Sequence, residues 1–248
     1  MNMPVTYAIG DIHGHLAKLQ EVHDWIAEDC RKNADRGPRV VHIGDLVDRG
    51  PDSAGVIAFL REAISSGAPW VVLKGNHDRM FTGFMADPNS KDPGLRSDLS
   101  WLDPRLGGAA TLASFGVAGG DARCTRDVHI DAVRQVPVDV LDFLRDLPTS
   151  YQAGEAIFVH AGIRPGISMR DQREDDLLWI RREFLDDRRE HGALIVHGHT
   201  AIKRATHYGN RVNIDSSAAY GGPLTAIAIE GRKVWQLGPK GRTVLLPI

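Results

Sequence analysis

The sequence predicts an α/β fold in which two β-sheets pack together and helices flank them. Three apolar runs near the start, at 5–9, 39–43 and 70–73, alternate with helical patterns and end in similar Gly-Asp or Gly-Asn turns. This pattern is typical of βαβ units and predicts a parallel sheet. The last third contains short strand-like runs joined by Gly-containing turns, which favours a second, more antiparallel sheet packed against the first.

Composition narrows the class of protein. Apolar residues make up 42% and charged residues 25% of the 248 residues, as in ordinary globular domains. The formal net charge of −2 argues against a dedicated nucleic-acid binder. Cys30 and Cys124 fit no metal or redox spacing, no apolar signal segment opens the chain, and no run approaches the roughly 20 apolar residues of a membrane span. We therefore expect a soluble cytoplasmic protein without nucleic-acid or membrane partners.

The chain is predicted to form a single domain over 1–248, with one change of pattern inside it. Residues 15–30 have helical spacing, a polar loop follows at 32–38, and Pro51 opens a second helix. Turns then interrupt a stretch from about 80 to 148, within which helices are predicted at 106–115 and 138–147. We interpret 80–148 as a mostly helical insertion beside or over the site.

Potential metal ligands follow five of the predicted strands. A lone histidine at a strand end is more often a hydrogen-bonded core residue, but many buried polar groups without a shared partner would be costly. Oxygen and imidazole ligands without thiolates suit Mn²⁺, Fe or Zn²⁺. Open α/β sheets place their ligands at the carboxyl ends of strands. The side chains in these positions are Asp11 and His13, Asp45, Asn76 and His77, His160, and His197 and His199.

These motifs resemble those of a known family. Gly-Asp-Ile-His-Gly at 10–14, Gly-Asp-Leu-Val-Asp-Arg-Gly at 44–50 and Gly-Asn-His-Asp at 75–78 look like the three signature motifs of the calcineurin-like metallophosphoesterases. More narrowly, they resemble the phosphoprotein phosphatase (serine/threonine phosphatase) family in its bacterial and phage-type branch. His-Ala-Gly at 160–162 and Gly-His-Thr at 198–200 match the remaining motifs, so the resemblance covers about 8–222.

The resemblance implies both the fold and the metal centre. The fold would be a four-layer α/β/β/α sandwich of the metallo-dependent phosphatase type, with two packed mixed β-sheets flanked by helices. The centre would hold two divalent metal ions, with Mn²⁺ favoured and Fe or Zn²⁺ as alternatives. His197 is expected to be a core residue or a neighbour of a ligand. The implied metal ligands are Asp11 and His13 for the first metal, Asp45 as the bridge, and Asn76, His160 and His199 for the second.

The resemblance also implies a mechanism, in which a hydroxide bridging the two metals attacks phosphorus directly. His77 would protonate the leaving group and Asp48 would orient His77. Arg49, Asn76 and Arg181 would bind phosphate, with Arg181 part of a Trp-x-Arg element. Arg182 is the neighbouring alternative, since helix geometry points the two arginines about 100° apart. The loop at 213–222 would lie near the substrate mouth, or would be an ordinary turn.

The motifs are compatible with three functions. The first is a phosphatase for phosphoserine and phosphothreonine in proteins, with phosphotyrosine or small phosphoesters as further substrates. The second is a symmetrical diadenosine tetraphosphate hydrolase, a family that shares these motifs but whose second motif lacks the aspartate standing here as Asp48. The third is a non-catalytic binding scaffold, which would be expected to have lost ligands, whereas all six are present. The intact Asp48–Arg49 pair favours the first.

Overall fold

The fold is that of a computed structural model, which describes residues 5–33 and 39–248. Most of the polar loop predicted at 32–38 lies outside the described residues. The strands within these residues are β1 (Thr6–Ile9), β2 (Arg39–His42), β3 (Trp70–Val72), β4 (Ser150–Ala153), β5 (Ala156–Val159), β6 (Leu194–His197), β7 (Thr206–His207), β8 (Arg211–Asn213), β9 (Ala226–Glu230), β10 (Lys233–Gln236) and β11 (Thr243–Val244). The helices are α1 (Leu16–Lys32), α2 (Ser53–Ser65), α3 (Asn76–Ala86), α4 (Gly108–Ser114), α5 (Thr125–Gln135), α6 (Val138–Asp146), α7 (Glu174–Trp179) and α8 (Arg182–Leu185).

The strands form two mixed sheets. The first has six strands in the order β11-β10-β9-β1-β2-β3, and the second has five in the order β4-β5-β6-β8-β7. β1, β2 and β3 run parallel in the first sheet, as do β5, β6 and β8 in the second. The carboxyl ends of the parallel strands therefore lie at one edge of each sheet.

Three apolar clusters separate four layers, because side chains alternate between the two faces of a strand. Ala8 packs between the two sheets, whereas its neighbours Tyr7 and Ile9 face the opposite way. The cluster between the sheets also contains Val41, Ile227, Phe158, Val196 and Val212. On the far side of the first sheet, the apolar residues of α1 to α6 form the largest cluster. On the far side of the second, Ile157, Val159 and Ile195 pack against α7 and α8.

The two packed mixed sheets with flanking helices confirm the predicted α/β/β/α architecture. The expectation that the strands of the last third belong to the second sheet is wrong for β9, β10 and β11. β9 pairs antiparallel with β1 and brings β10 and β11 into the first sheet, while only β7 and β8 join the second. The cause is pairing over a long sequence separation, which the alternation of apolar residues does not encode.

Residues 80–148, called the helical segment below, are about half in helices, and turns and irregular stretches make up the rest. The helices predicted at 106–115 and 138–147 are present as α4 and α6, and α5 was not predicted. α3 begins at Asn76 itself, directly after the third strand-end turn. Among the described residues, the structure contains no helix that is long and apolar enough to cross a membrane.

Candidate metal centre and active site

The strand ends of both sheets meet at one place. Asp11 follows β1, Asp45 follows β2, and Asn76 follows β3 in the first sheet, while His160 follows β5 and His199 follows β6 in the second. Backbone hydrogen bonds join these turns: His13 N–H donates to the Asp45 carbonyl at 2.8 Å, and Gly198 N–H donates to the His160 carbonyl at 2.8 Å. The turns after β1 and β2, and those after β5 and β6, are thus tied to one another.

Asp45 lies between two histidines. Its Oδ2 is 3.4 Å from His13 Nε2, and its Oδ1 is 3.4 Å from His160 Nε2. The backbone N–H of His77 donates to Oδ1 at 2.9 Å, which fixes the carboxylate orientation. A carboxylate that presents one oxygen to each of two imidazoles has the arrangement required to bridge two cations.

Backbone carbonyls fix the tautomers of His13 and His160. His13 Nδ1–H donates to the Val47 carbonyl at 2.8 Å, and His160 Nδ1–H donates to the Ile43 carbonyl at 3.0 Å. Since a carbonyl only accepts, Nδ1 carries the proton in each ring and Nε2 keeps its lone pair. This is the orientation in which a histidine binds a metal through Nε2.

Asn76 brings the second group of donors together. Its Oδ1 is 2.8 Å from His160 Nε2 and 2.8 Å from His199 Nδ1. The Ile43 carbonyl places the proton of His160 on Nδ1. His160 Nε2 and Asn76 Oδ1 therefore both point lone pairs at each other. A cation between them would turn this unfavourable contact into shared coordination.

The residues present fit a metal centre. Among the described residues, Asp11 Oδ1 and His199 Nε2 are buried and have no hydrogen-bond partner, although such groups are costly to bury unpaired. Two groups have ligand atoms within 4.8 Å of one another, His13–Asp45–His77 and Asp45–His160–His199, and both contain Asp45. A Cβ at Gly198 would lie 1.9 Å from Asp11 Oδ1, so glycine is required beside this carboxylate.

The electrostatics of the site also favour bound cations. Burial, and then the neighbouring charges of Asp215 and Asp45, raise the pKa of Asp11 well above its usual range. Burial likewise raises the pKa of Asp215 to about 6. Burial lowers the pKa of His13 and of His199 well below the usual value, so both rings are neutral at pH 7, as metal ligands must be.

His77 belongs to a pair with Asp48. His77 Nδ1 is 2.5 Å from Asp48 Oδ2, and both side chains are buried. Nδ1 contacts the carboxylate, so Nε2 is the nitrogen that can interact with a group bound in the cavity that His77 lines. This is the arrangement of a histidine held in one tautomer by a carboxylate.

The cavity beside the donor cluster has a volume of about 280 Å³ and contains both predicted arginines in its wall. Arg49 Nη1–H donates to His13 Nε2 at 2.8 Å, and its guanidinium lies 5.1 Å from the centre of the Tyr220 ring. Arg181 Nη1–H donates to Thr200 Oγ1 at 3.3 Å. Arg182 is not among the lining residues. The 213–222 loop supplies Asp215 and Tyr220 to the wall, as expected for a loop at the substrate mouth.

A second cleft of about 500 Å³ adjoins this cavity and shares Leu106, Trp179 and Arg181 with it. One wall is formed by 94–106 and the other by 164–183. The indole nitrogen of Trp179 is buried without a hydrogen-bond partner among the described residues. The cleft therefore extends the space beside the donor cluster.

The backbone of the site is unusual. Six non-glycine residues within the described ranges have a positive φ, and all lie in the strand-end turns or the 213–222 loop: His13, Asp45, Asp48, Arg49, His199 and Ser217. L-residues adopt this conformation at a cost of about 1–2 kcal/mol each. Such outliers cluster at functional sites, where the surrounding structure holds them.

Three site neighbours were not found from the sequence. Trp101 and Thr111 both donate hydrogen bonds to Asp48, and Asp78 accepts from the backbone of Leu46 and Gly75. Trp101 and Thr111 lie in the helical segment, where no motif marks them. Asp78 could have been identified from the sequence, because it lies in the third motif next to His77.

His197, which the sequence left as a core residue or a neighbour of a ligand, is fully buried. Its Nδ1–H donates to the Gly198 carbonyl at 3.1 Å, and its Nε2 accepts from Arg211 Nη1 at 3.2 Å. Both ring nitrogens are therefore engaged within the protein.

The fold and the site together define a class: α/β sandwich proteins with oxygen and imidazole donors gathered where the strands of two sheets end, the class of the metal-dependent phosphoesterases. A family model for calcineurin-like phosphoesterases matches residues 5–227. The chain belongs to this family, whose members are hydrolases that use divalent metals.

The similar proteins include protein phosphatases and a dinucleoside tetraphosphatase. The chain is 27% identical over 235 residues to serine/threonine-protein phosphatase 1 of Salmonella typhimurium, covering 90% of this chain and 91% of that protein. It is 44% identical over 170 residues to the symmetrical bis(5'-nucleosyl)-tetraphosphatase of Coxiella burnetii, covering 67% of this chain and 44% of that longer protein. The crystal structure of a cold-active protein-tyrosine phosphatase from a Shewanella species shares the fold, with a TM-score of 0.60, 16% identity, and coverage of 98% and 81% of the two chains.

Proposed function

We propose that this protein is a binuclear-metal-dependent phosphatase that hydrolyses phosphomonoesters, with phosphoserine and phosphothreonine in proteins as its main substrate class. The Asp48–His77 pair carries the proposal. The alkoxide that leaves a phosphorylated serine is a strong base and needs a proton, which a positioned histidine can give. A nucleotide that leaves a dinucleoside tetraphosphate is a far weaker base and needs no such donor.

The metal ligands in this proposal are Asp11 and His13 on one side, Asp45 between, and Asn76, His160 and His199 on the other, with Mn²⁺ as the favoured metal. When bound, a pair of such metals activates a water molecule and offsets charge on the phosphoryl oxygens. The six side chains hold the ions, and the buried position of most of them keeps bulk water away from the reacting group.

Arg49 and Arg181 bind the phosphate in this proposal. Both line the 280 Å³ cavity together with His77 and Asn76. The guanidinium group presents paired N–H donors that match phosphoryl oxygens. The Asn76 amide stands beside them and helps to orient the phosphate.

His77 transfers the proton. The oxygen of water forms the new bond to phosphorus, and the ester P–O bond breaks with its electron pair remaining on the ester oxygen. That oxygen takes the proton from Nε2 of protonated His77, and the proton released by the attacking water returns to solvent or to His77. Asp48 holds Nδ1–H throughout, so Nε2 remains directed at the leaving group.

A second candidate is hydrolysis of dinucleoside tetraphosphates. The 500 Å³ cleft that adjoins the cavity favours it, because it could hold a nucleoside beyond the phosphate chain. The relative from Coxiella burnetii carries that activity in its name. The Asp48–His77 pair disfavours this candidate, because a nucleotide leaving group needs no proton donor.

One experiment separates the two. The protein is stripped with chelator, reloaded with Mn²⁺, and given an aryl phosphate, a phosphoserine peptide, a phosphotyrosine peptide and diadenosine tetraphosphate in parallel. Phosphate release and nucleotide products are measured, with Asp45→Asn as the inactive control. We expect the highest kcat/KM on a phosphomonoester. Turnover confined to the dinucleotide would replace the first candidate by the second, and no turnover on any substrate would contradict both.

A further inference from the structure

The Asp48 carboxylate is held by two side chains of the helical segment. Oδ2 accepts a hydrogen bond from Trp101 Nε1–H at 2.8 Å, besides its contact with His77 Nδ1. Oδ1 accepts from Thr111 Oγ1–H at 2.7 Å. Asp48 is fully buried, so these donors, and not water, satisfy its oxygens.

The Thr111 hydroxyl binds Asp48 in both directions. It donates to the carboxylate and accepts the backbone N–H of Asp48 at 2.7 Å, with Ser53 Oγ at 3.2 Å as a further contact. Asp48 has a φ of 73°, a conformation that needs external support in a residue other than glycine. Thr111 thus supports the backbone and the side chain of Asp48 at once.

Both donors are themselves immobilised by packing. Trp101 is 4% exposed and lies 5.2 Å from the Phe81 ring and 4.9 Å from the Phe84 ring, centre to centre. Thr111 lies on α4 and is fully buried. The start of α4 touches the same turn, because Arg49 N–H donates to the Gly107 carbonyl at 3.3 Å.

We propose that Trp101 and Thr111 are positioning residues for the reaction, which act through Asp48 to hold His77 in the orientation that delivers its proton. This inference rests on the proposed function, because it concerns protonation of the leaving group. It gives residues 80–148, which contain none of the proposed metal ligands, a part in catalysis.

The orientation of the carboxylate explains why both donors are needed. A carboxylate has about four acceptor positions on its two oxygens. Trp101 and Thr111 occupy one on each oxygen, and His77 takes a second on Oδ2. Removing either donor leaves a buried acceptor position unsatisfied, which is unfavourable and favours a rotated carboxylate. A rotated Asp48 no longer directs His77.

The kinetic test uses the dependence on the leaving group. Thr111→Val and Trp101→Phe are expected to lower kcat on a phosphoserine peptide by about 10–100-fold, a part of the roughly 10²–10⁴-fold supplied by a general acid. KM should change little. The effect on an aryl phosphate with an acidic leaving group should be less than about threefold, because that group leaves without a proton.

Matched controls separate positioning from folding. Thr111→Ser keeps the hydroxyl and should retain most of the activity. Thr82→Val removes a hydroxyl that donates only to helix carbonyls of Asp78 and Arg79, and should leave the ratio of alkyl to aryl turnover unchanged. Equal losses on both substrates in Thr111→Val and Trp101→Phe would contradict the proposal.

A spectroscopic test does not need turnover. In the Zn²⁺-loaded protein, the proton shared by His77 Nδ1 and Asp48 should give a downfield ¹H resonance, assigned by its loss in His77→Asn. We expect Thr111→Val and Trp101→Phe to shift or broaden it and Thr111→Ser to preserve it. An absent resonance in the wild type, or an unchanged one in both variants, would overturn the inference. If no phosphoester is hydrolysed while the resonance responds as expected, the proposed function fails and the positioning of His77 stands.

Discussion

The Nε2 atoms of His23 and His42 lie 3.0 Å apart, where α1 crosses the end of β2. His23 stacks on Trp70 with ring centres 4.1 Å apart, and His42 Nδ1–H donates to the Val71 carbonyl at 3.3 Å. Because His42 uses its Nδ1–H for Val71, its Nε2 accepts the proton that His23 Nε2 carries, and His42 must be neutral to do so. Burial lowers the pKa of His23 to about 4 and that of His42 well below its usual value.

This pair predicts a loss of stability in mild acid. A histidine whose pKa is lowered by folding stabilises the folded state above its unfolded pKa of about 6.5, and that contribution is lost as the pH falls toward the folded pKa. The free energy of unfolding should therefore fall between pH 6.5 and 4, by at most about 1.4 kcal/mol per pH unit for each ring. Urea unfolding at pH 7.5, 5.5 and 4.5 measures it.

His23→Phe isolates the pair from the histidines of the metal site. It keeps an aromatic ring against Trp70 and removes one titrating group, so the decrease in stability from pH 7.5 to 4.5 should be smaller than in the wild type. An identical pH dependence in the two proteins would show that His23 titrates normally in the folded state.

Metal stoichiometry tests the role of His77. The structure places His77 close enough to His13 and Asp45 to be a ligand itself, whereas we propose that it is the acid. His77→Asn should cut turnover of a phosphoserine peptide by about 10²-fold or more and leave metal content unchanged. His160→Gln should instead lower the metal content, as measured by elemental analysis after dialysis. Loss of metal in His77→Asn would make it a ligand.

Arg181 and Arg182 form a natural comparison. Arg181 lines the catalytic cavity and Arg182 does not, so Arg181→Ala should lower kcat/KM by about 10–100-fold, the range for a charge-assisted hydrogen bond of about 1.5–3 kcal/mol. Arg182→Ala should remain close to the wild type. Steady-state kinetics on an aryl phosphate decide it, and a larger effect at Arg182 would reverse the assignment.

An ion pair outside the site, whose carboxylate is buried and whose arginine is half-buried, predicts an effect on stability alone. Arg242 binds the Asp29 carboxylate through Nε and Nη2 at 2.7–2.9 Å, and the Tyr7 hydroxyl donates to the same carboxylate at 2.6 Å. Arg242→Ala should destabilise the protein by about 3 kcal/mol, because it leaves Asp29 buried and unpaired on that side. Arg232→Ala removes an exposed pair with Glu190 and should have little effect. Chemical denaturation measures both, and equal effects would contradict the prediction.

The sequence predicts the elements that local patterns encode. The apolar runs of β1, β2 and β3 and the glycines of their turns locate Asp11, Asp45 and Asn76 at strand ends, which is where the structure has them. The motifs place all six candidate ligands in one cluster. Local patterns suffice here because the side chains of the site follow their strands directly.

What the sequence does not predict depends on contacts between distant residues. The antiparallel pairing of β1 with β9 joins positions more than 200 residues apart, and no turn sets its register. Trp101 and Thr111 reach Asp48 from 53 and 63 residues away. In the sequence a buried tryptophan that donates to a carboxylate cannot be distinguished from one that only fills the core.

Five residues of the candidate site keep a strained backbone that lowers the stability of the fold. They have positive φ angles and are His13, Asp45, Asp48, Arg49 and His199. A positive φ costs a residue other than glycine up to about 1–2 kcal/mol, and one such cost is already a sizeable part of the 5–15 kcal/mol by which a typical domain is stable. Glycine would adopt any of these conformations without strain. Selection for heat resistance alone would therefore tend to replace these residues first, and a thermostable variant obtained without an activity screen would be expected to have lost its chemistry.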